Sequence, residues 1–523
     1  MAATASTDWK KLFGLDDREP PYFISSIEQL DDAGVVPQPH ALRRAFEQLN
    51  INGVLCQERS PVIYFRLVKK IDPVQILDLH RSFWNQGIAP ILVVIAPDEV
   101  QVFSGLIPPE SSQVDTHPFP GLVEILPRLQ NRLRSFLLSV ESGEYFHTHR
   151  HSFDPGKRVD RELLRNLQAT RQALGEVPAA RLEPLTLNAL LCRLVFTCYL
   201  FDRGVIDSDY LTSLGIDDAQ HLRDILAKKP RTDAKNDLYL LFTQLGEDFN
   251  GDLFSADLEA ESRQVKVNHL EILDRFFHGT DIRTGQQSFW PYDFGFIPIE
   301  TISAIYEHFL KAAGEEQKKA AGAFYTPRFL AEFVLDLTLE GETSLLGKRF
   351  LDPACGSGIF LVGLFNRLAE EWKFQNPRAR YDRRARELMG ILRNNLYGID
   401  SNRSACQISA FSLYLAFLDQ LAPPDIQKLL GKWERLPYLV STPGEIEAGH
   451  EAAGTIYCAD FFTENAALPY KVDIIVGNPP WGSSKVRNAP SAQWCIERKL
   501  PHPDRQMAIA FIWKAPDHLE DDG

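Results

Sequence analysis

The sequence has no paired cysteines. Its seven, at positions 56, 192, 198, 355, 406, 458 and 495, never fall into a CxxC spacing, which excludes a zinc ribbon and a disulfide-stapled secreted scaffold. Reduced thiols and a cytoplasmic location are expected. Long hydrophobic runs are also missing. Nothing reaches the roughly 18 apolar residues of a membrane span, and MAATASTDWKKLFG at the start has no apolar core of signal-peptide length. Neither a membrane partner nor export is expected. Positive charge is scarce, with 56 Lys and Arg against 70 Asp and Glu, a net charge of -14 and a pI near 5.5. A nucleic-acid partner would have to use a local basic patch. Finally, no glycine-rich turn ends in GK[ST], so a P-loop is excluded.

What is present is ample apolar material, 44% of 523 residues, enough for several domains. PVIYFRLV (61–68), DPVQILDLHRSFWNQG (72–87), ILVVIAP (91–97) and EVQVFSG (99–105) read as a small β-α-β-β module. Within it, His80 and Trp84 are expected to pack its helix. Residues 160–275 read as mainly helical, and LNALLCRLVFTCYLFDRGVI (187–206) is too densely apolar for a surface helix. HTHRH (147–151) has no carboxylate or thiol beside it and precedes a Pro-Gly turn, so it reads as a solvated linker and no metal site is expected. From Gly341 short apolar strands alternate with helices, the texture of a doubly wound, Rossmann-like α/β domain. The whole is a multidomain α/β chain: a module over 1–150, a helical connector over 155–315 and the α/β domain over 316–523.

LDPACGSGIF (351–360) follows the first of these strands. The crevice at the carboxyl end of such a strand takes an adenosine-type cofactor, and a turn there must let backbone approach it without a Cβ in the way. Gly356 and Gly358 supply that room. The third glycine of the dinucleotide fingerprint is absent, since Phe360 and Leu361 follow, which argues against a pyrophosphate clamp. Asp352 instead suits a cofactor end that carries positive charge, as in S-adenosylmethionine. The second strand ends LYGIDSN, which puts Asp400 where it can accept from ribose hydroxyls or cap the next helix. After the third, YCADFF, Asp460 can take the exocyclic amine of the cofactor adenine and Phe461 can stack on its ring.

The fourth strand runs into VDIIVGNPPWGSS. An exocyclic amine on a base is a poor nucleophile because its lone pair is delocalised into the ring, so a catalyst must accept both its hydrogens. The Asn478 side-chain oxygen and the Pro479 carbonyl are the two candidate acceptors. Pro479 and Pro480 stiffen the backbone that carries them, and Trp481 offers a face for an extruded base.

Taken in order, GAFYTP (322–327), DPACGSG (352–358), GID ending at Asp400, ADFF from Ala459 and NPPW (478–481) resemble the gamma-class adenine-N6 DNA methyltransferases of type I and type IIG restriction-modification systems. The resemblance covers roughly residues 160–523. It implies S-adenosylmethionine as cofactor, with Tyr325, Thr326 and Pro327 over its methionine end, Asp352, Ala354, Gly356 and Gly358 in the cofactor loop, and Asp400, Asp460 and Phe461 on the adenosine side. It also implies a double-stranded DNA partner and a target-recognition domain or specificity subunit. The family's catalytic domain carries further strands after NPPW, so the α/β domain is expected to be incomplete here. Fused relatives carry an N-terminal nuclease with an acidic residue and Glu-x-Lys on neighbouring strands. PVIYFRLVKK has that shape without the acid; it places Arg66 in the strand, and Glu58 and Asp72 lack the spacing. The module is therefore expected to be nuclease-like and degenerate. The reading is a site-specific DNA adenine-N6 methyltransferase; a bifunctional restriction-modification enzyme, glutamine-N5 protein methylation and a non-catalytic cofactor-binding subunit are the alternatives.

Overall fold

The computed structural model describes residues 8–31, 39–57, 60–109, 119, 121–178, 180–249, 257–282, 284–285, 290–299, 301–302, 326–429, 436–441, 454–463, 466, 468–482 and 489–521. They fall into two compact units, Met1–Leu167 with Arg275–Pro298, and Gln168–Asp274 with Ile299–Gly523. The segment expected as a connector, 155–315, is thus divided between them.

In the first unit, β1 (Phe23–Ile24), β2 (Gly53–Gln57), β3 (Ser60–Leu67), β4 (Ile91–Ile95), β5 (Glu99–Ser104) and β6 (Leu122–Pro127) form one sheet in sequence order. Only β3 and β4 run parallel, joined by the helix Pro73–Gln86. The period-2 pattern sorts side chains to two faces: Ile63, Phe65, Val93 and Val102 lie in one core with Trp9 and Phe13, while Tyr64, Leu92 and Val94 lie in the other with Phe83. The strand-helix-strand-strand succession read from 61–105 is there; β1, β2 and β6 enlarge it.

The charged residues Arg66, within β3, and Asp72, after it, have structural duties. Asp72 caps the helix Pro73–Gln86 by accepting from the Val74 and Gln75 amides, and the Arg66 guanidinium donates to the Asn50 carbonyl. Glu58 lies outside the described residues. His80 is fully buried at 3.0 Å from the Ser104 carbonyl, and the Trp84 indole donates to the Lys157 carbonyl at 3.2 Å. The HTHRH stretch contributes to a short helix, Glu144–Thr148, and the His149 ring lies 4.4 Å from that of Tyr145.

The second unit is built on β7 (Phe350–Asp352), β8 (Leu396–Asp400), β9 (Val440–Ser441), β10 (Ile456–Cys458) and β11 (Ile474–Ile475), ordered β11-β7-β8-β10-β9 and parallel throughout. The four strands read from the sequence are all present, and the edge strand β9 joins them. Helix Arg403–Asp419 is buried along nearly its whole length. It is covered partly by the equally apolar helix Pro184–Asp202: Phe196 meets Phe411 edge-on at 5.6 Å, and the Arg203 guanidinium pairs with Asp419 at 3.1 Å. A helix apolar all round is one that is packed all round. Within the helical block, Arg193 is wholly buried and ion-paired to Glu261, which also accepts from the Tyr239 hydroxyl at 3.1 Å.

Sheet order fixes where a ligand can sit. The chain runs outward from β7 through β8 to β10, then returns to lay β11 on the other flank of β7. The strand order therefore reverses at β7, the switch-point topology that opens a crevice at the carboxyl ends of a parallel sheet.

Candidate active site

Contacts between Asp352 and Gly477, Asp400 and Gly356, and Asn478 and Thr326 bring sequence-predicted segments together at that crevice. Asp352, the last residue of β7, is 1% exposed. Its Oδ1 accepts from the Ala354 amide at 3.1 Å, while Oδ2 is buried with no hydrogen-bond partner among the described residues. Burial pushes its carboxyl up to about 8; the Ala354 N–H opposes that rise and the nearby Asp400 charge adds to it. The loop that follows bends through Gly356 at φ +54° and Gly358 at φ +83°. Gly358 is doubly constrained, since a Cβ there would lie 2.5 Å from Ser409 Oγ. It sits at the start of helix Ile359–Gln375, where unpaired amides face outward.

Asp400, at the end of β8, closes on this loop from the side. Its Oδ2 accepts from the Gly356 amide at 3.1 Å and its Oδ1 from the Asn402 amide at 2.7 Å. The cap of helix Arg403–Asp419 is Asn402, not Asp400, so the capping alternative falls to the neighbour two residues on. Asp460 follows β10, with Oδ1 on the Phe462 amide at 2.9 Å.

Phe461 is the correction. The ring expected to stack on adenine is 2% exposed and already stacked, on Phe511 at 4.9 Å and 15° and on His518 at 5.1 Å and 28°. Lys514 Nζ lies 5.0 Å from the same ring and donates to the Phe461 carbonyl. Helix Met507–Lys514 thus claims the side chain for the core beside β10.

On the β11 side, Asn478 carries two contacts. Its Nδ2 donates to Thr326 Oγ1 at 3.0 Å, and its Oδ1 accepts from the Trp481 indole N–H at 2.7 Å. Thr326 is 7% exposed, whereas Trp481 is 54% exposed, a side chain open to a partner. Pro479 and Pro480 are half-buried between them. Pro327 directly precedes helix Arg328–Thr338; Tyr325 lies outside the described residues. Gly477 is the participant that sequence reading missed. A Cβ on it would stand 2.4 Å from Asp352 Oδ1, so only glycine lets the strand carrying Asn478 lie against the carboxylate. The signal was its place between an apolar strand and Asn478.

The family models for "N-6 DNA Methylase" and "Eco57I restriction-modification methylase" match residues 298–421 and 394–523. Through this segment, residues 298–523, the chain is similar to the adenine-N6 DNA methylases of restriction-modification systems. The family's models overlap on β8 and helix Arg403–Asp419, so one continuous domain is matched. The chain is similar to the adenine-specific methyltransferase PglX of Streptomyces coelicolor, 26% identical over 32% of this chain and 15% of the relative. It is similar also to the type I restriction enzyme MjaIX methylase subunit of Methanocaldococcus jannaschii, 24% identical over 41% of this chain and 29% of that one. It therefore spans less than a third of the length of these two relatives. The type IIL restriction-modification enzyme MmeI, solved in complex with DNA, aligns with 68% of this chain and 48% of its own at 17% identity and a TM-score of 0.42.

The family implies S-adenosylmethionine as cofactor, and the crevice fits it. An unpartnered buried acceptor on Asp352, a loop opened by two glycines and a second carboxylate at Asp400 suit a ligand that is cationic at one end and carries ribose hydroxyls at the other.

Proposed function

We propose that this chain transfers a methyl group from S-adenosylmethionine to N6 of an adenine turned out of double-stranded DNA, in a restriction-modification or phage-defence setting. The observation that carries the reading is the close approach of Asp352 to Gly477, the residue before Asn478, at the carboxyl ends of the paired strands β7 and β11, which sets a carboxylate suited to the cofactor next to the residue that carries the amide acceptor.

The cofactor supplies an electrophilic methyl carbon beside a sulfonium that leaves without protonation. The protein's own residues do the remaining work. Asp352 faces the cationic end and the Asp400 carboxylate the ribose, with Gly356 and Gly358 admitting the ligand between them. Asn478 Oδ1 and the Pro479 carbonyl accept the two amino hydrogens of the adenine, which restores nucleophilic character to N6 as the ring loses its lone pair. Trp481 offers an exposed ring on which the extruded base stacks. Alignment of amine and methyl within about 3 to 3.5 Å supplies most of the rate. Site choice is assigned to a target-recognition domain or specificity subunit, and the seven free thiols fit a cytoplasmic setting. For the N-terminal module we propose a nuclease-like scaffold that does not cleave, supported by the capping role of Asp72 and the carbonyl contact of Arg66.

The test is incubation of the chain with labelled S-adenosylmethionine and unmethylated DNA, followed by mass spectrometry of nucleosides. N6-methyladenine is expected, and Asn478→Ala should abolish it while leaving cofactor affinity within about threefold, because that side chain contacts Thr326 and Trp481 rather than the cofactor loop. Cofactor binding without transfer to any DNA would leave a binding subunit in place of an enzyme.

A further inference from the structure

A primary amide on a catalytic asparagine can face either way. Its terminal torsion is close to two-fold, and one orientation presents an acceptor to an incoming amine while the other presents donors that repel it. For Asn478 the structure holds the first, through two neighbours of different chemistry. The Trp481 indole is a donor only, so the atom it meets at 2.7 Å must be the oxygen. The atom left on the opposite side is Nδ2, which donates to Thr326 Oγ1 at 3.0 Å. A hydroxyl can accept there and a hydrocarbon cannot.

We propose that Thr326 is the positioning residue of the Asn478 amide: its hydroxyl oxygen holds Nδ2 and so keeps Oδ1 turned toward the adenine amine. The role goes beyond the methionine-end contact expected of the segment 325–327, and it rests on the methyltransferase reading. When an adenine draws Trp481 into a stack, the indole contact is surrendered and Thr326 alone maintains the orientation. Thr326 is 152 positions from Asn478 in sequence and 7% exposed, so the contact is a fixture of the packed site rather than of a local turn.

The test compares Thr326→Val, which keeps shape and removes the acceptor, with Thr326→Ser, which keeps the acceptor. Methyl transfer by Thr326→Val should fall roughly 10- to 100-fold in kcat, the scale of a misoriented reacting group, with S-adenosylmethionine affinity within about threefold of the parent. Thr326→Ser should retain most of the rate. A readout independent of activity uses the cofactor-free protein with 15N-labelled Asn and Trp. Thr326→Val should shift both the Asn478 side-chain amide and the Trp481 indole resonances, and Thr326→Ser should shift neither substantially. A Thr326→Val enzyme with weakened cofactor affinity, unchanged kcat and unmoved amide resonances overturns the proposal and leaves Thr326 as a cofactor contact. If the parent methylates no DNA while the resonances still respond to Val but not Ser, the methyltransferase reading fails and the positioning contact stands.

Discussion

Gly477 and Asp352 meet across the gap between β11 and β7 so closely that a single added carbon on the glycine would come within 2.4 Å of the carboxylate. The contact joins the two halves of the site. The strand that delivers Asn478 is seated against Asp352, and both are placed by the same pairing of Ile474 with Phe350 and Ile475 with Leu351.

The buried state of Asp352 makes stability and binding depend on pH. Its folded pKa is raised to about 8, against about 3.9 for an ordinary Asp, so the folded protein holds the proton where the unfolded chain has lost it. The stability this contributes is fully present below about pH 4 and is lost as pH rises toward 8. Cofactor-free protein should therefore lose melting temperature from pH 5 to 8, and Asp352→Asn should flatten the loss. A cationic ligand favours the ionised carboxylate, so binding should release a proton at pH 7. Calorimetry in buffers of different ionisation enthalpy would detect it. Equal release by Asp352→Asn would remove Asp352 as the charge partner.

Phe461 should behave as a core residue. Truncation to Ala removes a ring stacked on Phe511 and His518 and should cost about 3 to 5 kcal/mol, read as a lower urea midpoint. A variant of unchanged stability whose S-adenosylmethionine affinity collapses would restore the ring to the adenine pocket.

Among the cysteines, Cys458 should be modified first. It is the one cysteine not fully buried, and the hydrogen bond from Cys406 holds its thiol down at about 7, with Arg403 acting in the same direction. Cys406 is pushed the other way by the same bond and by burial. Iodoacetamide at pH 7 followed by peptide mapping should label Cys458 ahead of the rest, and Cys406→Ala should slow that labelling. Faster labelling at Cys355 or Cys495 would contradict the assignment.

How much of this was written locally differs from residue to residue. β7, β8 and β10 were legible because a buried strand reads as a short apolar run, and β11, two half-buried residues, because it lies within the apolar run VDIIVG; these runs are closed by Asp352, Asp400, Asp460 and Asn478. The turn after β7 was legible because Gly356 and Gly358 stand where left-handed backbone is needed. β1 and β9, at two residues each, are too short to show a period. The fate of Phe461 was decided by Phe511 and His518, distant in sequence, which no pattern around 461 encodes. The Asn478–Thr326 bond is non-local in the same way, and Gly477 looked like an ordinary strand terminus until Asp352 was seen opposite it.

The placement of β11 beside β7 also sets an order of events at the ribosome. Arg349 and Asp473, whose backbone-to-carboxylate bond locks the start of that pairing, are 124 residues apart in the chain. At translation rates of about 5 to 20 residues per second, β7 emerges roughly 6 to 25 seconds before the strand that flanks it. Through that interval β8 and β10 can assemble on one edge of β7 while the other stands open, so the crevice cannot take shape until β11 has emerged. A nascent chain stalled before β11 would carry Asp352 and Asp400 yet have no catalytic wall.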